Sequence, residues 1–380
     1  MLIDYEILRL VWWALLGVLL IGFAVMDGFD MGVATLLPFV GKTDTERRII
    51  INTIGPVWEG NQVWLILGGG AIFAAWPYVY AVSFSGFYFA IFIALFAIIL
   101  RPVGFKFRSK MPHKTWRSVW DICLFIGGAV PPLIFGVAFG NLFLGADFHF
   151  DETLRSHYTG GFWQLLSPFA LLCGLVSTSM VTMHGGIYLA LKTENPISNR
   201  AQIVAFYAGI LTLILFSLAG LWLAFGIEGY TISTQMLHDA SSNPLSKTVT
   251  RNLGGWLENY KLYPGAFLIP LVAYLAGLLT LVLSRVQKFG LAFITSALCI
   301  TGIITTAGAS LFPFLLPSAT DPDHSLTVWD ASSSQLTLFI MLIATVIFVP
   351  IILIYTSWVF RVLRGKVTPQ SLKDEEINAY

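Results

Sequence analysis

The sequence predicts an all-α, polytopic membrane protein with about nine transmembrane helices. Of its 380 residues, 56% are hydrophobic and only 11% are charged, and its mean hydropathy is +0.77. This composition leaves too little polar surface to cover a soluble globule of this size. Because lipid offers the backbone no hydrogen-bond partners, each spanning segment must be a helix of roughly 20 residues.

Intervals without Asp, Glu, Lys or Arg locate these helices. They are residues 10–26, 60–100, 122–146, 159–191, 201–227, 262–284, 289–320 and 331–360. The interval 60–100 is about twice as long as a single span of roughly 20 residues. Trp76-Pro77 near its middle predicts a reversal of the chain there. Splitting this interval gives nine helices, and we expect one transmembrane domain over residues 1–380.

The basic residues fall unequally on the two sides of this arrangement. The chain has 22 Lys and Arg residues, and only five of them belong to the side of the N-terminus: Arg9, Arg155, Lys247, Arg251 and Lys261. Loops rich in Lys and Arg stay in the cytoplasm. We therefore expect the N-terminus outside the cytoplasm and the C-terminus inside it.

Composition and motifs exclude several classes of function. The net charge is +1 and the basic residues are dispersed between apolar blocks, so no nucleic-acid partner is expected. The sequence contains no Walker loop, no GxGxxG after a strand, no nucleophile elbow and no HExxH. ATP-driven, dinucleotide-dependent and hydrolytic chemistry therefore lack support. The three cysteines lie in apolar blocks without a CxxC pair, which indicates packing rather than a metal site.

Two carboxylates stand three residues apart in the motif MDGFDMG, within the first predicted helix. This spacing places Asp27 and Asp30 on one helix face. Ionisable groups in spanning helices are costly, so the pair is a candidate for sharing or relaying a proton. The alternative is a structural pair whose carboxylates cap the glycines and bind Arg47 or Arg48 in the following loop.

Glu59 is the best single candidate for handling protons. It opens the second predicted helix in VWEGNQVW, where indole and amide side chains surround it. A carboxylate in such surroundings can hold a proton. The alternative is a structural charge that the helix dipole favours at an N-terminus.

Two further ionisable residues are interpreted as structural. Asp121 begins the fourth predicted helix and is expected to pair with Arg117 or Lys114. His184 is the only histidine on a predicted spanning helix. A b-type haem in an electron-transfer site usually needs two axial protein ligands, so this chain alone is not expected to ligate haem, and no other metal site is expected.

Eight ordered blocks resemble one known family, subunit II of the cytochrome bd quinol oxidases. They are GFAVMDGFDMG (22–32), DTERRIIINTIGPVWEGNQVW (44–64), FAAWP (73–77), SGFYFA (85–90), LRPVGF (100–105), GVAFGN (136–141), LFPFLLPS (311–318) and SLTVWDASSSQLTL (325–338). The blocks span nearly the whole chain, which makes the resemblance far more specific than any single motif.

The resemblance implies a subunit of a terminal oxidase in a bacterial inner membrane, with a periplasmic N-terminus. Its partner would be subunit I, which in this family holds two b-type haems and one d-type haem. The complex would oxidise quinol and reduce O2 to water. Small accessory single-helix subunits, membrane lipid and a structural quinone are further components that the family implies.

The resemblance also implies roles for individual residues. Glu59 matches an acidic position on the route that carries protons in from the cytoplasm, where familiar relatives have aspartate. Lys106 and Lys110 match loop positions near the start of that route. Trp64 matches a position associated with oxygen access. Trp58 and Arg101 lie near the structural quinone of some relatives.

Two other functions remain open from the sequence. In a proton-coupled secondary transporter, Asp27, Asp30 and Glu59 would bind the substrate or ion near the midplane. Their placement towards the cytoplasmic boundary argues against this reading. In a pure scaffold, the chain would only stabilise its haem-bearing partner.

Overall fold

The computed structural model describes residues 3–370. Twelve helices are α1 Tyr5–Val40, α2 Asp44–Ile54, α3 Trp58–Ala75, α4 Pro77–Gly86, α5 Tyr88–Phe107, α6 Lys114–Leu144, α7 Pro168–Lys192, α8 Ile197–Gly226, α9 Glu258–Leu262, α10 Leu268–Arg285, α11 Phe289–Leu311 and α12 Gln335–Val362. Six short strands form three antiparallel pairs, which are β1 Phe148–Phe150 with β2 Ser156–Tyr158, β3 Glu228–Ile232 with β4 Val249–Leu253, and β5 Phe314–Leu316 with β6 Leu326–Thr327. The all-α membrane fold predicted from the sequence is confirmed.

Within the described residues, eight helices are long and apolar enough to cross a membrane. They are α1, α5, α6, α7, α8, α10, α11 and α12. The remaining predicted span corresponds to α3, which has 18 residues. Its first turns carry Glu59, Asn61 and Gln62, and these polar side chains lower its hydropathy.

Contacts at its two ends show that α3 nevertheless lies along the part of α1 between Tyr5 and Asp30. Near its start, Asn61 Nδ2 donates to Asp30 Oδ2 at 2.8 Å. At its end, the carbonyl of Ala75 accepts from Ser333 N at 2.8 Å, and the carbonyl of Ser333 accepts from the Tyr5 hydroxyl at 2.6 Å. Because Tyr5 begins α1, α3 is antiparallel to α1 and makes the ninth pass within residues 3–370.

The predicted reversal at Trp76-Pro77 is confirmed, because α3 ends at Ala75 and α4 begins at Pro77. The Trp76 indole is buried and donates to Ser332 Oγ at 3.1 Å. A second break at Phe87 separates α4 from α5. This break was not predicted, although it directly follows Ser85-Gly86, a dipeptide typical of turns.

The ends of the described chain lie at opposite ends of the helix bundle. Tyr5 lies with the loop that precedes α12, whereas Val367 N donates to the carbonyl of Lys192, the last residue of α7, at 2.8 Å. The three hairpins lie between helices at the Tyr5 end. An odd number of passes produces this arrangement, and which end faces the cytoplasm stays a prediction.

Glycines allow α1 to contact α7 backbone to backbone. A Cβ at Gly32 would overlap the carbonyl oxygen of Val181, and a Cβ at Gly185 would lie 2.6 Å from Gly32 backbone atoms. On another side of α1, a Cβ at Gly128 of α6 would lie 2.6 Å from Met31 O. These contacts place α1 at the centre of the bundle, where it carries the acidic pair.

Candidate functional site

A buried ion pair inside the bundle links α1 to α5. Arg101 Nη1 lies 2.8 Å from Asp27 Oδ1, and Arg101 Nη2 lies 2.9 Å from Asp27 Oδ2. Both side chains are 0% exposed. This two-point geometry matches the planar guanidinium fork to the carboxylate, so each charge compensates the other away from water.

The uncharged interval that predicts this span ends at residue 100 and leaves Arg101 outside the helix, and that boundary is wrong. The residue lies inside α5, which continues to Phe107. The alternative interpretation, in which the acidic pair binds Arg47, is also wrong for Asp27. Arg47 Nη1 instead lies 2.8 Å from Asp121 Oδ2. The boundary was misplaced because a charged residue ends an uncharged interval in the sequence. A charged residue that has a buried partner, as Arg101 has, can lie inside a helix.

Asp30 lies beside this pair and has a different environment. Its Oδ2 accepts the hydrogen bond from Asn61. Its Oδ1 is buried and has no hydrogen-bond partner within residues 3–370. The structure therefore brings Asp27, Asp30 and Arg101 together, and it adds Asn61 as the residue that ties α3 to them. The sequence feature that could have identified Asn61 is its position one turn after Trp58, which places both side chains on the same face of α3.

A glycine creates the space that Arg101 occupies. A Cβ at Gly127 of α6 would lie 2.6 Å from Arg101 Cγ and 2.9 Å from the carbonyl oxygen of Ala97. The neighbouring Gly128 brings α6 against α1, as described above. The Gly-Gly pair therefore closes the site from the side of α6.

Both tryptophans predicted near this site are buried on α3. Trp58 packs against Phe105 with ring centroids 5.6 Å apart, and its indole Nε1 has no hydrogen-bond partner within the described residues. The Trp64 ring covers Gly22, where a Cβ would lie 2.5 Å from a ring atom. Trp58 thus offers an unused donor, whereas Trp64 fills a groove of α1.

The three predicted residues of the proton route lie apart from the buried pair. Glu59, Lys106 and Lys110 are exposed. Glu59 and Asn61 are two residues apart on α3 and therefore point to nearly opposite faces of this helix. Since Asn61 contacts Asp30, Glu59 faces away from the buried carboxylates and forms part of the outer surface of the bundle.

Asp121 has partners that the sequence did not predict. Arg108 Nε lies 2.5 Å from Asp121 Oδ1, and Arg47 approaches Oδ2. The expected partner Arg117 instead pairs with Asp44. The expectation was wrong because it considered only neighbours in sequence, whereas α2 folds back over the α5–α6 connection.

The surroundings of His184 test whether the chain offers a haem ligand inside the bundle. Its Nδ1 lies 2.7 Å from Ser296 Oγ, and its Nε2 lies 3.1 Å from the carbonyl oxygen of Val25. The ring also stacks on Phe293 with centroids 4.5 Å apart. With both ring nitrogens engaged, His184 does not fit the role of an axial haem ligand.

Comparisons with known proteins follow the whole length of the chain. A family model described as cytochrome bd terminal oxidase subunit II matches residues 8–363. Cytochrome bd-I ubiquinol oxidase subunit 2 of Escherichia coli (strain K12) is 50% identical over 379 residues, which is 100% of both chains. Cytochrome bd ubiquinol oxidase subunit 2 of Bacillus subtilis (strain 168) is 33% identical over 363 residues, covering 94% of this chain and 96% of that protein.

A solved structure shares the fold. A chain in the structure of bd oxidase from Geobacillus thermodenitrificans matches with a TM-score of 0.69 and 16% sequence identity, covering 93% of this chain and 98% of the other. At this identity the match concerns the arrangement of the helices alone.

Proposed function

The chain belongs to the family of cytochrome bd terminal oxidase subunit II, and we propose from this membership that it supplies a proton-uptake route to its partner subunit. As a family member it is part of an oxidoreductase complex in the bacterial inner membrane and assembles with a subunit I. The proposal extends to the reaction, in which quinol is oxidised and O2 is reduced to water. The haems would belong to subunit I.

The exposed position of Glu59 supports the route. The residue lies in the first turn of α3, and it makes no hydrogen bond or ion pair within residues 3–370. An ionisable side chain in contact with lipid is costly. A partner surface that covers Glu59 would remove that cost, so the carboxylate would lie between the two subunits and could pass protons to the partner.

The buried residues would hold this acid in place rather than carry protons. Asp27 and Arg101 join α1 to α5, and Asn61 joins α3 to Asp30. These contacts fix the start of α3, from which Glu59 projects. Lys106 and Lys110 lie exposed at the end of α5 and in the turn after it. At that position they could raise the local concentration of anions and shift the protonation of nearby groups.

A proton route of this kind conserves energy if it does not let protons leak across the membrane. If quinol releases its protons at the outer face while protons for O2 reduction come from the cytoplasm, each turnover separates charge. A leak would dissipate roughly 2.3 kcal/mol per charge for each 100 mV of membrane potential. Single protonatable groups embedded between apolar helices meet this requirement better than a continuous water channel.

The two remaining residues fit lesser parts of the proposal. The unused indole Nε1 of Trp58 is a buried donor suited to the carbonyl oxygen of a structural quinone. Trp64 remains a candidate for lining the path of O2, since its ring closes the groove beside Gly22. Both terminal nitrogens of Arg101 donate to Asp27. Arg101 would therefore fix the position of α5 against α1 and would not bind the quinone through these nitrogens.

The same contacts argue against a secondary transporter. Both oxygens of Asp27 accept hydrogen bonds from Arg101, so the charge of this carboxylate is already compensated and a cation would have to compete with the guanidinium group. The scaffold reading is separated from the proton route by one substitution. Glu59→Gln removes the proton-carrying group and retains the shape of the side chain.

This variant is produced with subunit I, and the purified complex is compared with wild type and with Glu194→Gln. Glu194 is a matched control, because it is also exposed and lies at the same end of the bundle, just after α7. We expect normal haem bands in reduced-minus-oxidised spectra and quinol-driven O2 consumption lowered about a hundredfold or more, the typical effect of losing a proton-transfer group. Glu59→Asp is expected to retain most of the activity. Wild-type O2 consumption by Glu59→Gln with normal haem content would remove Glu59 from the route and favour the scaffold.

A further inference from the structure

A cluster of three arginines lies where α2 meets the connection between α5 and α6. Arg108 contacts Asp121 through Nε at 2.5 Å and Asp44 through Nη2 at 3.0 Å. Arg47 pairs with Asp121, and Arg117 pairs with Asp44. These five residues, Asp44, Arg47, Arg108, Arg117 and Asp121, are called the arginine cluster below. They connect three segments of the chain, which are α2, the α5–α6 connection and α6, at the end of the bundle that holds Val367.

The charges of the arginine cluster do not cancel. Three guanidinium groups face two carboxylates, which leaves one positive charge. Arg108 is 1% exposed, yet its Nη1 has no hydrogen-bond partner within residues 3–370. A buried guanidinium nitrogen without an acceptor is costly, so the cluster lacks one anionic or strongly accepting group.

The exposed edge of the arginine cluster is accessible to such a group. The side chains of Arg47 and Arg117 are each 28% exposed. Arg47 Nε donates to Gly41 O at 3.0 Å and Arg117 Nε donates to Met111 O at 3.1 Å, so backbone oxygens fix both side chains. The arginines are therefore held in position before any ligand binds.

The surface beside the arginine cluster has the character of a membrane interface. The Trp116 and Trp120 rings pack edge to face at 5.6 Å, and Trp120 Nε1 is a second buried donor without a partner in the described chain. Tryptophans are enriched at the level of lipid headgroups. Phe107 precedes Arg108, stacks on Trp120 with ring centroids 6.5 Å apart and is 50% exposed, so it offers apolar surface next to the cluster.

We propose that the arginine cluster binds the phosphate of an anionic phospholipid, with the acyl chains lying along Phe107 and Trp120. Arginine forks match phosphate oxygens with paired hydrogen bonds, and basic sites between helices at the cytoplasmic face are suited to lipid headgroups. One phosphodiester charge would neutralise the single excess positive charge. A free phosphate offers the same oxygens, but it would leave the adjoining apolar surface uncovered.

The test uses the complete complex with subunit I, stripped of lipid by detergent exchange. Binding of phosphatidylglycerol, phosphatidylcholine and inorganic phosphate is measured by native mass spectrometry and by displacement of spin-labelled phosphatidylglycerol. Arg117→Gln is the main variant because Arg117 lies at the exposed edge of the cluster. Arg285→Gln is the matched control, since it removes an equal charge at the C-terminal end of α10, a helix outside the cluster.

We expect Arg117→Gln and Arg47→Gln to weaken phosphatidylglycerol binding about tenfold, the effect of losing one charge-assisted contact. Asp44→Asn should strengthen binding, because it removes a carboxylate that competes for Arg108 and Arg117. Arg285→Gln should bind like wild type. Phosphatidylcholine should bind weakly to all variants.

Equal phosphatidylglycerol binding by wild type and the Arg47 and Arg117 variants would overturn the proposal. Displacement of the lipid by inorganic phosphate at similar concentration would also overturn it, and would assign the site to a free anion. Arg108→Gln is not needed for the test, because Arg108 is buried and its loss can prevent assembly. Arg47→Gln and Arg117→Gln decide whether the cluster binds the lipid. Because the readout is lipid binding, its result is independent of the role of Glu59.

Discussion

Asp27 on α1 and Arg101 on α5 form a doubly hydrogen-bonded ion pair with both side chains fully buried. Replacing one partner leaves the other as an uncompensated charge inside the bundle. Such a change typically destabilises a protein by about 3–5 kcal/mol. We expect Asp27→Asn and Arg101→Gln each to lower the thermal stability and yield of the complex by this order.

The measurement is thermal unfolding of the purified complex, with Arg251→Gln as the control. Arg251 pairs with Glu228 at 3.5 Å, but these side chains are 36% and 54% exposed. An exposed pair contributes about 0–1 kcal/mol. If Asp27→Asn unfolds at the wild-type temperature, the pair does not hold α1 and α5 together.

The pair also marks the limit of what the sequence could predict. Asp27 and Asp30 were recognised as one site from their spacing, because helix geometry is local. Their partners Arg101 and Asn61 come from two other helices, and the choice of a partner depends on packing between helices. For the same reason, Asp121 was matched with its sequence neighbours rather than with Arg108.

Helix positions were predictable where they depend on composition alone. The eight apolar helices and the reversal at Trp76-Pro77 follow from uncharged intervals and proline. Helix ends were predicted less well. The uncharged interval that located the first helix stops at residue 26, whereas α1 continues to Val40, because Asp27 and Asp30 have partners inside the bundle. The hairpins at the Tyr5 end were not predicted, since their strands are only two to five residues long.

Gly32 is predicted to be intolerant of any side chain. A Cβ there would overlap the carbonyl oxygen of Val181, and backbone atoms cannot move aside as a flexible side chain can. We expect Gly32→Ala to separate α1 from α7 and to reduce the amount of assembled complex severely. The matched control is Gly220→Ala on α8, where a Cβ meets no atom within 4 Å. Assembly of Gly32→Ala at the level of Gly220→Ala would contradict the close contact of the two helices.

His184 is predicted to be dispensable for haem. Both of its ring nitrogens are engaged, by Ser296 and Val25. We expect His184→Gln to lower stability, because Ser296 and the Val25 carbonyl lose well-placed partners. The ratio of haem to protein in the assembled complex should stay at the wild-type value. The pyridine haemochrome assay measures this ratio, and Ser296→Ala serves as the control for a purely structural loss. A haem deficit in His184→Gln but not in Ser296→Ala would assign His184 a ligand role.

Lys247 and Asp330 form a second buried ion pair, in the loops at the Tyr5 end. Lys247 Nζ lies 2.7 Å from Asp330 Oδ2, with side chains 0% and 2% exposed. Asp330 Oδ1 also accepts from Thr327 N at 2.8 Å. The pair holds the segment between β3 and β4 against the loop before α12. We expect Lys247→Met to expose this segment to proteases, with the exposed Lys261→Met as the control.

The effect of Lys247→Met should depend on pH. Burial raises the pKa of the Asp330 carboxyl above its ordinary value, and Lys247 partly offsets this rise. A carboxyl with a raised pKa binds its proton more readily in the folded state than in the unfolded state. Stability therefore falls as pH rises from the ordinary pKa of the carboxyl to its raised pKa in the folded protein. Removing Lys247 removes the offset, and the pKa of Asp330 rises further. The loss of stability in Lys247→Met should therefore be larger near about pH 8 than near about pH 5, and Lys247→Met with Asp330→Asn should abolish this difference. Unfolding measured at both pH values tests this, and an equal loss at the two would show that removing Lys247 does not raise the pKa of Asp330 further.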